Sequence, residues 1–211
     1  MRIVAATPER GVDLLRLLEE NAMRGDIGLV MTRRPDYFLT QDDFGHEATA
    51  LALDGDRAVG LCRLTRHQGF ANGMSQTLGY LGGLRVARGY RHRIRLVKMG
   101  FHYLRQLAPP ARCYTSIATD NLPALRLLER GLPGLPRYRP LGDMCTLAIA
   151  RSRAKRRRLW RVMPPERYGE VAAFYNRSAR ARQLAPMLEA DWLRQAPVTV
   201  LGCERGGSLS A

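Results

Sequence analysis

A basic turn between an apolar strand and an amphipathic helix is the part of this sequence best suited to bind an anion. The turn spans residues 87–93. Before it, Leu78–Val86 is apolar and broken by glycines, which favours a strand that lines a groove. After it begins a helix, whose first N–H groups are unpaired and attract negative charge. The cationic side chains around this point are Arg88, Arg91, His92, Arg93 and Arg95. The alternative is an ordinary strand–helix unit with a solvated basic surface.

Proton transfer beside this strand would need a histidine, a tyrosine or a carboxylate. His67, Tyr80 and Tyr114 are the weak candidates, and the tyrosines could equally be packed aromatic side chains. Glu47 flanks the sheet in sequence, but the strand 78–86 itself holds no carboxylate. The sequence contains no Gly-x-Ser-x-Gly elbow and no Walker motif. The spacing of the cysteines and histidines indicates no metal site.

The basic turn resembles the signature of the GNAT superfamily of acyl-CoA-dependent N-acyltransferases. In that family a valine ends the fourth strand, and an aromatic residue and then Arg or Gln follow four and five positions later. Val86, Tyr90 and Arg91 match this spacing. Ile94 and Leu96 stand where the family usually has glycine or alanine.

A second motif of the same family lies about 30 residues downstream. There the family has an asparagine after its fifth strand and then a helix with an alanine, a glutamate and a glycine. Asn121, Ala124, Glu129 and Gly131 follow that pattern. Leu128 occupies the position of the tyrosine that usually serves the family as general acid. The resemblance covers roughly residues 1–150.

The resemblance implies a mixed, strongly twisted α/β sheet with helices on both faces. It implies transfer of an acetyl or other acyl group from CoA to a primary amine, with acetyl-CoA as co-substrate. Backbone groups of Leu84 and Val86 would bind the pantetheine arm, and Asn121 its amide or thiol end. The residues that would bind the pyrophosphate are Arg91, His92, Arg93, Ile94, Arg95 and Leu96.

The positions that depart from the family pattern favour a rival hypothesis from another functional class. In that hypothesis the domain binds CoA weakly or not at all and acts as a regulatory or scaffolding module. A third hypothesis is a polyanion-binding module built on the basic turn and the run 151–158, which carries six charges in eight residues. It ranks last because no nucleic-acid-binding fold is recognisable.

Periodicity and turn signals predict the elements before residue 150. The predicted helices carry buried stripes of Val12, Leu15, Leu18 and Ala22, and of Ile94, Val97, Phe101 and Leu104, and a further helix follows Asn121. A short helical segment is expected from Arg34 to Leu39, a loop at 67–75, and a hairpin turn at 54–56. The predicted strands are Ile3–Ala6, Ala48–Leu53, Arg57–Thr65, Leu78–Val86, Cys113–Ala118 (parallel to the strand 78–86) and one or two within Arg137–Ala150.

The sequence after residue 159 repeats the beginning of the chain. Residues 160–167 echo residues 3–10, and 198–207 parallel 48–56. We therefore expect a GNAT-like domain over 1–150, a basic linker over 151–159 and an incomplete second GNAT-like repeat over 160–211. The last segment is expected to pack rather than to fold independently, because about 50 residues make a marginal core.

Composition sets the remaining expectations. The chain has 211 residues, 45% of them hydrophobic, and a formal charge of +15, which implies attraction to polyanions such as CoA. No apolar run is long enough to span a bilayer. The N-terminus lacks a secretory pattern, so we expect a cytoplasmic protein without a membrane partner. Its expected partner is a small-molecule or peptide amine, with nucleic acid disfavoured and a homo-oligomer left open.

Overall fold

The computed structural model describes residues 1–22, 31–38, 46–107, 112–145, 160–205 and 208–209. The chain divides into two compact units. The first consists of residues 1–68 and 77–139, and the second of 69–76 and 140–211. The expected linker 151–159 lies outside the described residues, so the domain boundaries predicted from the sequence stay a prediction.

The first unit is built on a mixed sheet in the order β1–β2–β3–β4–β5. β1 pairs antiparallel with β2, β2 antiparallel with β3, and β4 parallel with β5. The parallel pairing of the last two strands agrees with the prediction, and the mixed α/β class is confirmed. The strands are β1 (Arg2–Ala5), β2 (His46–Asp54), β3 (Arg57–Ala71), β4 (Met74–Val86) and β5 (Arg112–Tyr114).

Helices cover the two faces of this sheet. α1 (Gly11–Glu20) packs Leu14 and Leu17 against Leu51 and Leu61. α2 (Ile94–Leu107) packs Leu104 against Ala50, Cys62 and Leu64, and α3 (Leu122–Glu129) joins α2 through Leu128. Successive side chains of a strand point to opposite faces, so we name these the α1 face and the α2 face.

The two sequence motifs with strong turn residues both form hairpins. Gly55 has a φ of 60° and joins β2 to β3, as the Asp-Gly pair predicts. The loop predicted at 67–75 is wrong, because β3 continues to Ala71 and β4 begins at Met74. Asn72 and Gly73 make the connection with φ angles of 52° and 74°. An Asn-Gly pair adopts this two-residue turn readily, so the connection needs no longer loop.

Other local predictions were also wrong. Residues 34–38 form a bend and a turn instead of a helix, and residues 137–145 contain no strand. Residues 39 and 146–150 lie outside the described part. Val12 is 81% exposed because Leu14 and Leu17, rather than Val12, turn the apolar side of α1 toward the sheet.

The second unit contains a smaller sheet in the order β6–β8–β9, formed by Trp160–Val162, Leu201–Arg205 and Ser208–Leu209. A 3-10 turn (Pro165–Arg167) leads into α4 (Tyr168–Ala179), and α5 (Ala190–Gln195) follows. A two-residue strand, β7 (Ala185–Pro186), pairs antiparallel with Gly69 and Phe70, the end of β3 that belongs to this unit.

The second unit has its own apolar core, made by Met163, Tyr168 and Leu193. Its opening order of strand, 3-10 turn and helix matches that of β1, Pro8–Arg10 and α1. Within the described ranges, no helix combines the length and the apolar character that crossing a bilayer requires.

Candidate functional site

The basic turn is anchored to its surroundings by the two polar residues that match the family motif. The hydroxyl of Tyr90 donates to Asp54 at 2.7 Å. The guanidinium of Arg91 donates to the carbonyl of Val86 at 3.2 Å and to the side chain of Asn21 at 3.0 Å. Both side chains therefore hold the turn against the ends of β2, β4 and α1.

Several backbone groups assigned to the co-substrate already have partners. The carbonyl of Leu84 accepts from Arg85 at 2.9 Å, and that of Val86 accepts from Arg91. In the turn, the N–H groups of Arg93, Ile94 and Leu96 donate to backbone carbonyls of the turn itself. These N–H groups are therefore not free to bind phosphate oxygens, and the phosphates of a co-substrate would be bound mainly by side chains.

The cationic side chains of the turn do project outward. Arg88, His92, Arg93 and Arg95 are exposed, and the guanidinium of Arg93 lies 4.8 Å from the centre of the Tyr90 ring. Space is also open above Gly89, where a Cβ would meet nothing within 4 Å. These exposed cations and the N-terminus of α2 fit a polyanion such as the phosphates of CoA.

Leu96 belongs to the core rather than to the turn. It is 3% exposed and packs with Ala52 and Val59, whereas Ile94 is 37% exposed. The predicted stripe of α2 is therefore wrong at Ile94, and Leu96 takes its place because it faces the sheet. Because Leu96 packs in the core, its side chain does not occupy the space where the pyrophosphate of CoA is expected to bind. Obstruction of the cofactor by Leu96 is therefore not supported.

These two positions give a matched test. Leu96→Gly is expected to lower the free energy of unfolding by about 3–6 kcal/mol, from the cavity and the helix-propensity cost together. Ile94→Gly should lower it by about 1 kcal/mol, since only propensity and partial burial are lost. Urea denaturation followed by circular dichroism measures both. Equal losses would show that the two side chains are equally buried in solution.

Asn121 caps α3 and is already engaged. Its side-chain oxygen accepts from the N–H of Ala124 at 3.4 Å. Leu128, at the position of the family's tyrosine, is 5% exposed and packs with Val97 and Phe101. A proton donor for this site must therefore come from elsewhere.

Three side chains considered as acid–base candidates meet at the point where β4 and β5 part. Pairing of these strands ends at Tyr80 and Tyr114, whose ring centres lie 5.2 Å apart. The hydroxyl of Tyr114 lies 3.4 Å from Nε2 of His67, on β3. Just beyond, the hydroxyl of Thr115 donates to the carbonyl of Leu81 at 2.6 Å. We call His67, Tyr80 and Tyr114 the apex cluster.

A glycine makes room for this cluster. A Cβ at Gly82 would lie 2.8 Å from the ring of Tyr80, which covers that position. The neighbouring Gly83 has a φ of 62°, a left-handed conformation that glycine adopts without strain. The glycines noted in the strand 78–86 thus permit the aromatic ring to lie along β4.

The electrostatics of the apex cluster suit proton transfer. Burial lowers the pKa of His67, so the imidazole is neutral near pH 7 and can accept a proton. Burial, with a smaller contribution from Tyr80, raises the pKa of Tyr114, so the phenol stays protonated and can donate. The pair therefore holds one acceptor and one donor side by side.

The lowered pKa of His67 also predicts a dependence of stability on pH. Below the unfolded-state pKa of about 6.5 the unfolded chain takes up a proton that the folded imidazole resists, so stability falls as the pH drops. His67→Gln should reduce this loss between pH 7 and pH 5. Melting temperatures of both proteins across this range measure the difference, and the exposed His102→Gln serves as control. Parallel curves for wild type and His67→Gln would contradict the predicted pKa shift.

A buried ion-pair network lies on the same face and was not recognised in the sequence. Glu47 accepts from both terminal nitrogens of Arg33 at 2.9 Å and from Arg63 at 3.3 Å, and its side chain is 3% exposed. Arg33 also lies 4.8 Å from the ring centre of Tyr37. Because its carboxylate is fully committed to these partners, Glu47 is a poor general base. The strand alternation of β2 could have placed it on the α1 face, but its partner in the loop could not be predicted.

Two further features of the first unit carry no site. A cavity of about 20 Å³ lies between the sheet and α2, lined by Ala52, Gly60 and Leu96 among others, and it has room for about one water molecule. In the described part of the chain, no group of histidines, cysteines and carboxylates could hold a metal ion.

Solved structures of other proteins are similar in fold to this chain. A structure described as a probable acetyltransferase aligns with 72% of this chain and 100% of its own, at 24% identity and a TM-score of 0.51. The chain has the fold of an acetyltransferase. A transcriptional regulator from Bacillus halodurans C-125 aligns with 70% of this chain and 99% of its own, at 14% identity and a TM-score of 0.50.

The two structures carry different descriptions, and at these identities the likeness establishes the fold and not the activity. No family model matches the chain, and no curated protein matches it in sequence. The acetyltransferase fold agrees with the architecture that the two GNAT-like motifs imply.

Proposed function

We propose that this protein is an N-acyltransferase that moves an acetyl or other acyl group from CoA to a primary amine. The observation that carries the proposal is the apex cluster. His67, Tyr80 and Tyr114 come from three strands of an acetyltransferase fold and meet where β4 and β5 separate. This cluster offers a proton acceptor and a proton donor in a chain whose helix α3 has Leu128 at the position of the family's tyrosine.

The proposed reaction needs one net proton transfer. The amine nitrogen attacks the thioester carbonyl, the C–S bond breaks, and the proton of the amine must reach the departing thiolate. His67 takes the proton from the attacking nitrogen, and Tyr114 gives its own to the sulfur. The contact between Tyr114 and His67 then returns the proton to the phenol. The partly exposed ring of Tyr80 keeps that of Tyr114 in place.

The co-substrate would be held at the basic turn. Its phosphates would meet the exposed side chains Arg88, His92, Arg93 and Arg95, near the N-terminus of α2. Arg91 would bind a phosphate directly only if its hydrogen bond to the carbonyl of Val86 broke. Otherwise its role would be to hold the turn in its conformation. The remaining predicted residues would bind the co-substrate through backbone groups at most; these are Leu84, Ile94, Leu96 and Asn121.

Calorimetric titration with acetyl-CoA tests this assignment. We expect saturable binding, and we expect the double variant Arg88→Gln, Arg95→Gln to bind at least tenfold more weakly, because two charge-assisted contacts are lost. Arg105→Gln removes one exposed charge from the other end of α2 and should bind as the wild type does. Absence of binding by the wild type at millimolar acetyl-CoA would contradict the proposal.

The rival hypothesis, a regulatory or scaffolding domain that binds CoA weakly, is favoured by one specific observation. The carbonyls of Leu84 and Val86 and three N–H groups of the turn are engaged within the protein. If these contacts persist in solution, the pantetheine arm has few backbone partners. The same titration decides between the two functions, since the rival predicts binding that does not saturate.

We also propose that residues 160–211 derive from a second GNAT-like repeat. Support comes from the shared order of strand, 3-10 turn and helix, and from the antiparallel pairing of β6 with β8, which parallels that of β1 with β2. The expected packing of residues 160–211 stays a prediction. Comparing the melting temperature of the full chain with that of a chain ending at residue 150 would test it.

A further inference from the structure

A buried arginine on the α1 face, Arg85, has no ion-pair partner among the residues that the structure describes. Arg85 is 7% exposed, and one of its terminal nitrogens donates to the neighbouring carbonyl of Leu84 at 2.9 Å. Its Nε and its other terminal nitrogen are buried and have no partner in the described part of the chain. A buried guanidinium without an anion is strongly unfavourable, so its retention calls for an explanation.

The other buried arginines of this face are accounted for differently. Glu47 ion-pairs both Arg33 and Arg63. Among the residues that the structure describes, Arg85 forms no such pair. Burial lowers the pKa of Arg85, because it removes the charged guanidinium from water.

The direction of Arg85 places it with the apex cluster and not with the cofactor turn. Leu84 and Val86 pack against Val97 on the α2 face, so Arg85, between them, points to the α1 face. His67 and Arg63 share that face, and Gly83, which has no side chain, lies beside Arg63. Thr65, between them on β3, has a buried hydroxyl that also lacks a partner in the described ranges.

Along β4, Arg85 lies five residues from Tyr80, which is about 15 Å of strand. The arginine side chain is long, so the distance from its guanidinium to the apex cluster can be shorter than the distance along the strand. One small molecule can then contact both the apex cluster and Arg85. The acetyl group of acetyl-CoA is uncharged, so it cannot form an ion pair with Arg85. The group that pairs with it is therefore expected on the second substrate.

We propose that the Arg85 guanidinium binds a carboxylate or phosphate group of the acyl acceptor. The acceptor is then an amine that also carries an oxyanion, oriented with its nitrogen toward His67 and Tyr114. Arg85 acts as a specificity-determining residue, because a neutral amine would leave the guanidinium buried and unpaired. The inference rests on the proposed acyltransferase function.

The first test uses small oxyanions on the full chain saturated with acetyl-CoA. Acetate and inorganic phosphate are titrated separately by calorimetry, and acetyl-CoA blocks adventitious phosphate binding at the basic turn. We expect at least one of the two to bind saturably. Arg85→Met should weaken that binding at least tenfold, and Arg85→Lys should weaken it less, because lysine keeps the charge but loses the fork. Arg105→Gln is the matched control and should bind as the wild type does.

The second test measures the stability of the chain without ligands. If Arg85 has no internal partner, Arg85→Met should raise the melting temperature, since it replaces an uncompensated buried charge by an apolar side chain of similar length. A lower melting temperature would show that Arg85 has a structural partner, and it would overturn the proposal. This readout does not depend on any substrate.

Each remaining outcome is also decisive. No saturable binding of either anion, or equal binding by wild type and Arg85→Met, would overturn the proposal. Competition between acetyl-CoA and the anion for Arg85 would assign the arginine to the phosphates of the co-substrate instead. Binding of the anion at Arg85 without any binding of acetyl-CoA would refute the proposed function while leaving the oxyanion site supported.

Discussion

Replacement of Tyr114 by phenylalanine is expected to lower kcat about 100-fold or more while leaving KM for acetyl-CoA nearly unchanged. The substitution removes only the hydroxyl that lies 3.4 Å from His67 and keeps the ring that packs against Tyr80. A positioned general acid typically contributes a factor of about 10²–10⁴. The measurement is the release of CoA thiol from acetyl-CoA in the presence of a panel of primary amines.

Two comparisons sharpen this experiment. Tyr103→Phe removes a hydroxyl from α2, outside the apex cluster, and should not change turnover. His67→Gln should lower kcat by a similar factor, and the double variant should lose little more, because two residues that act as one relay are not additive. Undiminished turnover by Tyr114→Phe would exclude the phenol as proton donor and direct the search to the other side chains of the α1 face.

Replacement of Glu47 by alanine is expected to lower the free energy of unfolding by about 3–5 kcal/mol, the usual cost of breaking a buried ion pair on one side. The carboxylate serves Arg33 and Arg63 together, and removing it leaves two buried guanidinium groups without that anion. Urea denaturation followed by circular dichroism measures the change.

The control for this variant is Glu19→Ala. Glu19 pairs with Arg34 at 2.7 Å, but the arginine side chain of that pair is 67% exposed. Its removal should leave the denaturation midpoint nearly unchanged, since exposed pairs contribute little. A triple variant with Arg33→Met, Glu47→Leu and Arg63→Met should regain much of the stability lost by Glu47→Ala. Similar effects of the two single variants would mean that water reaches the Glu47 network.

The sequence predicted the hairpin between β2 and β3 correctly because the Asp-Gly pair determines its turn locally. The hairpin at Asn72 and Gly73 carried an equally local signal, but the polar residues around it resemble a loop when they are taken together. Turn chemistry was thus more informative here than composition.

The candidate site was predictable only in part. His67, Tyr80 and Tyr114 could be named as residue types near the sheet, but their meeting depends on the register of three strands, which no short stretch of sequence determines. The role of Leu96 was mistaken because the helix begins with both Ile94 and Leu96 apolar, and one turn of sequence does not decide which of them faces the sheet. The ion pairs of Glu47 and the unpaired position of Arg85 among the described residues depend on tertiary packing in the same way.

The pairing of the Asn72–Gly73 hairpin with residues 183–186, within the second unit, has a consequence for the order of assembly during synthesis. Asn72 exchanges hydrogen bonds with Gln183, 111 positions later in the chain. The ribosome therefore presents the Gly69–Phe70 strand edge well before Ala185 and Pro186 exist to cover it. An unpaired edge of this kind is a template for association with other chains. Slowed translation or a shortened message should increase aggregation of nascent chains, and a charged residue at an exposed position of that hairpin should reduce it.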